Sequence, residues 1–112
     1  MSYYTESISL NYSECSGYSI GGPSYMTFGS YEIGKLKGFF SQYEKFDDSE
    51  VSVSIRPGFY DLTITVNSNL TRGDSWCSSV LNDAMNYVKN HVINSCQQGS
   101  GRLNITIELY TL

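Results

Sequence analysis

Apolar and polar residues alternate strictly on both sides of one break in this chain. Val51, Val53 and Ile55 alternate with Ser52, Ser54 and Arg56. Pro57-Gly58 interrupts, and Tyr60, Leu62, Ile64 and Val66 then alternate with Asp61, Thr63 and Thr65. A period of two around a Pro-Gly break predicts a β-hairpin over residues 50–66, with one face of each strand turned inward. The same period predicts a first strand over 6–13, with Ile8, Leu10 and Tyr12 inward, and a last strand over 103–109. In the latter Leu103, Ile105, Ile107 and Leu109 face the core, while Asn104, Thr106, Glu108 and Tyr110 face out.

Two stretches switch to helical spacing. Residues 31–46 place Ile33, Leu36, Phe40 and Tyr43 on one face, with Ser30 as N-cap and Glu32 in the first turn. Gly34 and Gly38 are poor helix formers. Their spacing of four predicts a smooth side where the backbone approaches the sheet closely. Residues 75–95 form the second helix, capped by Asp74 or Ser75. Its buried stripe is Cys77, Val80, Leu81, Ala84, Val88 and Val92.

The order is β-α-β-β-α-β over a single domain, residues 1–112. It predicts an α+β, ferredoxin-like fold, a four-stranded antiparallel sheet with both helices on one face. The half-apolar pattern of each strand agrees, because a sheet covered on both faces would read as solidly apolar. The uncovered face then carries Ser7, Ser9, Asn11, Ser52, Ser54, Thr63, Thr65, Asn104, Thr106 and Glu108.

The connection at 14–30 is long for a compact domain. It mixes Gly and Ser with Tyr18, Ile20, Tyr25, Met26 and Phe28, the composition of an adaptable binding loop. Glu44, Asp47, Asp48 and Glu50 form an acidic turn before the hairpin. That turn lacks the alternating oxygen ligands and closing Glu of a calcium loop, so it reads as a solvated cap.

Composition narrows the function classes. Charged residues are only 16% of the chain and the net charge is −4. A nucleic-acid backbone calls for a Lys/Arg footprint, which this chain lacks. An RNA-recognition module would also need aromatics outward on the first and third strands with basic residues nearby; the first strand offers Ser7, Ser9 and Asn11 there, and the third Phe59, Asp61 and Thr63. The segment 14–30 contains no Arg or Lys to hold a phosphate, which disfavours acyl-phosphate hydrolysis. No apolar run reaches the ~18 residues of a membrane span, and the N-terminus has no signal-peptide pattern.

The chemistry-bearing residues form no catalytic or metal motif. His91 is the single histidine, Cys77 lies fourteen positions before it, and no set has zinc spacing. Arg72-Gly73-Asp74 matches an adhesion tripeptide, but Asp74 has a local task as helix cap. The three cysteines are an odd count and read as reduced thiols. Cys77 and Cys96 sit about 28 Å apart along one helix and cannot bridge. Cys15 with Cys96 is the alternative pair, leaving Cys77 a buried thiol. Sequons at Asn11, Asn69 and Asn104 fall partly in predicted strands, which disfavours a glycosylated route.

The expectation is therefore a small, acidic, cytoplasmic, non-enzymatic protein without cofactor, which inhibits or modulates a larger protein with a basic surface. Phage-encoded inhibitors of bacterial defence (anti-CRISPR proteins among them) and toxin-neutralising immunity proteins share this size and acidity. If viral, it acts in the host cell. The expected contacts are Tyr18, Tyr25, Met26, Phe28, Glu44, Asp47 and Asp48. The alternatives are a secreted fungal toxin or effector, marked by a Cys15–Cys96 disulfide, a small thiol-dependent enzyme, and a homo-dimer.

Overall fold

A computed structural model describes residues 2–15, 30–41, 51–56, 60–69, 73–95 and 99–112. The elements in chain order are strand β1 (Ser2–Asn11), a 3-10 turn (Tyr12–Glu14) and helix α1 (Ser30–Ser41). Strand β2 (Val51–Arg56), strand β3 (Asp61–Ser68), helix α2 (Asp74–Ser95) and strand β4 (Arg102–Thr111) follow. The β-α-β-β-α-β succession and the α+β class agree with the periodicity. β1 begins four residues before the expected start: burial still alternates back through Tyr4 and Ser2, where the apolar–polar pattern of the sequence does not.

The sheet order corrects the ferredoxin-like expectation. The strands lie β1-β4-β3-β2. β1 pairs antiparallel with β4, and β2 with β3, but β3 and β4 are parallel neighbours. A purely antiparallel sheet would have set β1 beside β3. Here α2 returns the chain directly alongside β3, and β4 takes the interior place.

Burial explains the choice. The inward residues of β4, namely Leu103, Ile105, Ile107 and Leu109, are at most 1% exposed. Each fully buried Leu or Ile contributes about 1.5–3 kcal/mol. The inward positions of β1 are Ser2, Tyr4, Glu6, Ile8 and Leu10. An interior place for β1 would bury the Glu6 carboxylate, at an effective cost of several kcal/mol for an unpaired ion. At the sheet edge Glu6 stays half-exposed.

One core lies between the sheet and the helices. Leu62, Ile64 and Val66 of β3 meet the β4 residues and the α2 stripe of Cys77, Val80, Leu81, Ala84, Met85, Val88 and Val92. Every expected member of that stripe is buried; Met85 extends it. α1 packs over β2 and touches α2. Leu36 is fully buried, and the Phe39 ring stacks on Tyr87 at 5.7 Å.

Two smaller expectations fail. Gly34 and Gly38 do not approach the sheet: both are exposed, and a Cβ at either would meet nothing within 4 Å. The helix turns its Leu36 side inward instead. Tyr60 is not an inward strand residue but is 66% exposed, just before β3 begins.

The end of β1 is tied to the chain after α2. The Tyr12 N–H donates to the Gly101 carbonyl at 3.0 Å, and the Gly99 N–H donates to the Tyr12 carbonyl at 3.1 Å. Gly101 has φ +103°, a conformation that L side chains rarely adopt. Cys15 sits beside this junction, is buried, and is disulfide-bonded. That overturns the expectation of three reduced thiols. Cys77 keeps its thiol in the core. The sequence then offers only Cys96 as an intrachain partner, and Cys96 lies outside the described residues.

Candidate functional site

The residues singled out from the sequence, Tyr18, Tyr25, Met26 and Phe28 in the long connection and Glu44, Asp47 and Asp48 in the acidic turn, lie outside the described residues. The site that the described residues build is the uncovered face of the sheet.

Strand pairing sorts that face into rows. Tyr3, Tyr110, Asn67 and Ser52 form the first, and Thr5, Glu108, Thr65 and Ser54 the second. Ser7, Thr106, Thr63 and Arg56 form the third, Ser9, Asn104 and Asp61 the fourth, and Asn11 and Arg102 the last. Every outward residue expected from the alternation is here. Cross-strand hydrogen bonds link neighbouring strands within the rows: Ser7 Oγ and Thr106 Oγ1 at 2.9 Å, Arg102 Nε donating to Asn11 Oδ1 at 3.1 Å, and Asn104 Nδ2 donating to Asp61 Oδ1 at 3.4 Å. Such pairs stabilise a sheet face by a few tenths of a kcal/mol to about 1 kcal/mol each.

Glu108 is the focus of the first two rows. The Tyr3 hydroxyl donates to Glu108 Oε2 at 3.1 Å, and the Tyr110 hydroxyl donates to the same oxygen at 3.4 Å. Thr65 Oγ1 donates to Oε1 at 3.4 Å. The Tyr3 and Tyr110 rings stand 4.9 Å apart at 46°. Tyr3 is half-exposed, so the cluster is open to solvent. Partial burial, then the adjacent Glu108 charge, raises the Tyr110 phenol pKa above 10.0.

Neutral hydroxyl donors orient a carboxylate without cancelling its charge. Among the described residues no Lys or Arg pairs with Glu108. An oriented carboxylate beside two aromatic rings suits an ammonium or guanidinium group, through a charge-assisted hydrogen bond and ring-face attraction. Tyr3 lay before the expected start of the first strand, because the apolar–polar alternation breaks at Glu6 and at the adjacent aromatics Tyr3 and Tyr4. Glu108 and Tyr110 were correctly read as outward, but nothing in the sequence brought Tyr3 and Thr65 to them.

Elsewhere the chemistry is local. Among the described residues no three His, Cys, Asp or Glu side chains are grouped as metal ligands. His91 is half-buried on α2, as its spacing implied. Asp74 opens α2 and accepts a hydrogen bond from the Tyr4 hydroxyl at 2.5 Å. That bond raises the Tyr4 phenol pKa above 10.0. A disulfide-bonded Cys15 has no thiolate to offer as a nucleophile. No described helix is long and apolar enough to cross a membrane. No protein-family model, curated protein or solved structure matches the chain.

Proposed function

We propose that this chain is a non-enzymatic protein-binding module that inhibits or modulates a larger partner, docking the open face of its sheet on a basic surface. The observation that carries the reading is Glu108, held by Tyr3, Tyr110 and Thr65, with no Lys or Arg pairing with it among the described residues. Tyr is favoured at protein interfaces because it adds contact area at low entropic cost. The net charge of −4 steers the module towards positive surfaces. Tyr18, Tyr25, Met26 and Phe28 come from a segment with the Tyr, Ser and Gly composition of binding surfaces and add contact, and Glu44, Asp47 and Asp48 add to its acidity. Inhibitors that phages direct against bacterial defence, and immunity proteins, share this size and acidity.

The test is affinity capture of the partner, followed by titration of the purified complex at several salt concentrations. Glu108→Gln and the Tyr3→Ala/Tyr110→Ala double variant should weaken binding, and Glu108→Gln should also flatten its salt dependence. Unchanged affinity and salt slope in both variants would remove the open face from the reading. The Tyr18→Ala/Tyr25→Ala/Phe28→Ala and Glu44→Ser/Asp47→Ser/Asp48→Ser variants test the loop and the acidic turn in the same assay.

The disulfide at Cys15 favours a second reading, a secreted toxin or effector, because such bonds persist in oxidising compartments. Alkylation of the denatured, unreduced native protein should label one thiol, Cys77, and label all three cysteines only after reduction. Three labelled thiols before reduction would remove the support for secretion.

A further inference from the structure

The outer edge of β1 is unpaired among the described residues, since β1 ends the sheet order. Ten residues of edge strand leave about five outward N–H and C=O pairs open to another backbone. Glu6 lies on the covered side of that strand, between Tyr4 and Ile8. It is half-buried, and no hydrogen bond or ion pair from the described residues reaches its carboxylate. With Thr5, Ser78, Leu81 and Asn82 it lines a groove of about 300 Å³ between β1 and α2.

We propose that this edge accepts one added strand from another protein, an extended segment carrying Lys or Arg opposite Glu6. In an added strand, the residue facing Glu6 lies on the same side of the sheet, with Cβ atoms about 4.5–5.5 Å apart. A Lys or Arg there lays its aliphatic stem on Leu81 and brings its charge to the Glu6 carboxylate, beside the polar Ser78 and Asn82. The flanking inward positions of the guest face Tyr4 and Ile8, so they are apolar. The recognised pattern is apolar-x-basic-x-apolar.

A second copy of β1 fits less well. Antiparallel pairing about Glu6 opposes two carboxylates, and pairing about Ser7 sets each Glu6 against Ile8 with no cation. An inward charge on an edge strand opposes edge-to-edge self-pairing. Glu6 therefore discriminates as well as attracts. This surface lies on the opposite side of the sheet from Glu108, so the two proposals stand or fall separately.

The probe is a capped, labelled heptapeptide with Val, Lys and Val at alternate positions and Thr between, titrated against the full chain by fluorescence anisotropy. A second peptide replaces its Lys by Glu. The Lys peptide should bind wild type at least about fivefold more tightly than the Glu peptide, and Glu6→Gln should erase that preference. Binding should slow amide exchange along β1 and leave exchange along β2, the opposite edge of the sheet, unchanged. Failure of wild type to bind the Lys peptide overturns the proposal. So does equal binding of the two peptides, or slowed exchange along β2 in place of β1.

Discussion

Thr111→Val should make this protein more stable. Thr111 closes the inward row of β4 and is 1% exposed, and among the described residues its Oγ1 has no hydrogen-bond partner. A hydroxyl left unpaired away from water costs about 1–3 kcal/mol. Valine keeps the branched shape, so the change opens no cavity, and it suits a strand at least as well as threonine does. The expected gain is about 1–2 kcal/mol. With 112 residues, the unfolding entropy is about 235 cal/mol/K, so the gain raises Tm by about 4–8 °C. Thermal melts by circular dichroism, with urea unfolding to check that the m-value is unchanged, measure it. Thr111→Ser retains the hydroxyl and loses the methyl, so it should lose about 1 kcal/mol. A Thr111→Val melt at or below wild type would refute the reasoning, because it would mean that the hydroxyl is paired in solution.

Gly34→Ala and Gly38→Ala should each stabilise the fold by about 0.5–1 kcal/mol in the same melts, because both sites are exposed, helical and open around the added Cβ. A loss at either would show that its surface is covered. Tyr4, Tyr12 and Tyr110 all hold phenol pKa values raised above 10.0: Tyr4 chiefly through its bond to Asp74, Tyr12 and Tyr110 chiefly through burial. The native state therefore keeps protons that the unfolded chain releases. Stability from these phenols is complete below about pH 10 and is lost as pH rises through the folded values. Urea unfolding across that range should show the decline, and Tyr4→Phe should make it shallower. An identical alkaline slope in the variant would exclude the Tyr4 contribution.

Much of the architecture was legible in the chain. Alternation over 51–66 and 103–109 assigned the faces of β2, β3 and β4, and helical spacing marked the α2 stripe from Cys77 to Val92. These signals are local: a residue's side of its own element depends on a period of two or 3.6. They also identified Glu108 as outward before its neighbours were known. Neighbours are a different matter. A strand alternates in the same way whether it lies beside β3 or beyond β4, so periodicity admitted an antiparallel sheet that the fold does not adopt.

Only the tertiary structure decided that competition. Four fully buried aliphatic residues qualify β4 for the interior, while Glu6 holds β1 at the edge. From that placement follow the gathering of Tyr3, Thr65 and Tyr110 around Glu108, the groove beside Glu6, and the tie between Tyr12 and Gly101 next to Cys15. Each joins residues distant in sequence, and such contacts depend on which whole-sheet arrangement buries the most apolar surface without burying a charge. The sequence determined which side of each element faces the core; the packed sheet determined which side chains meet.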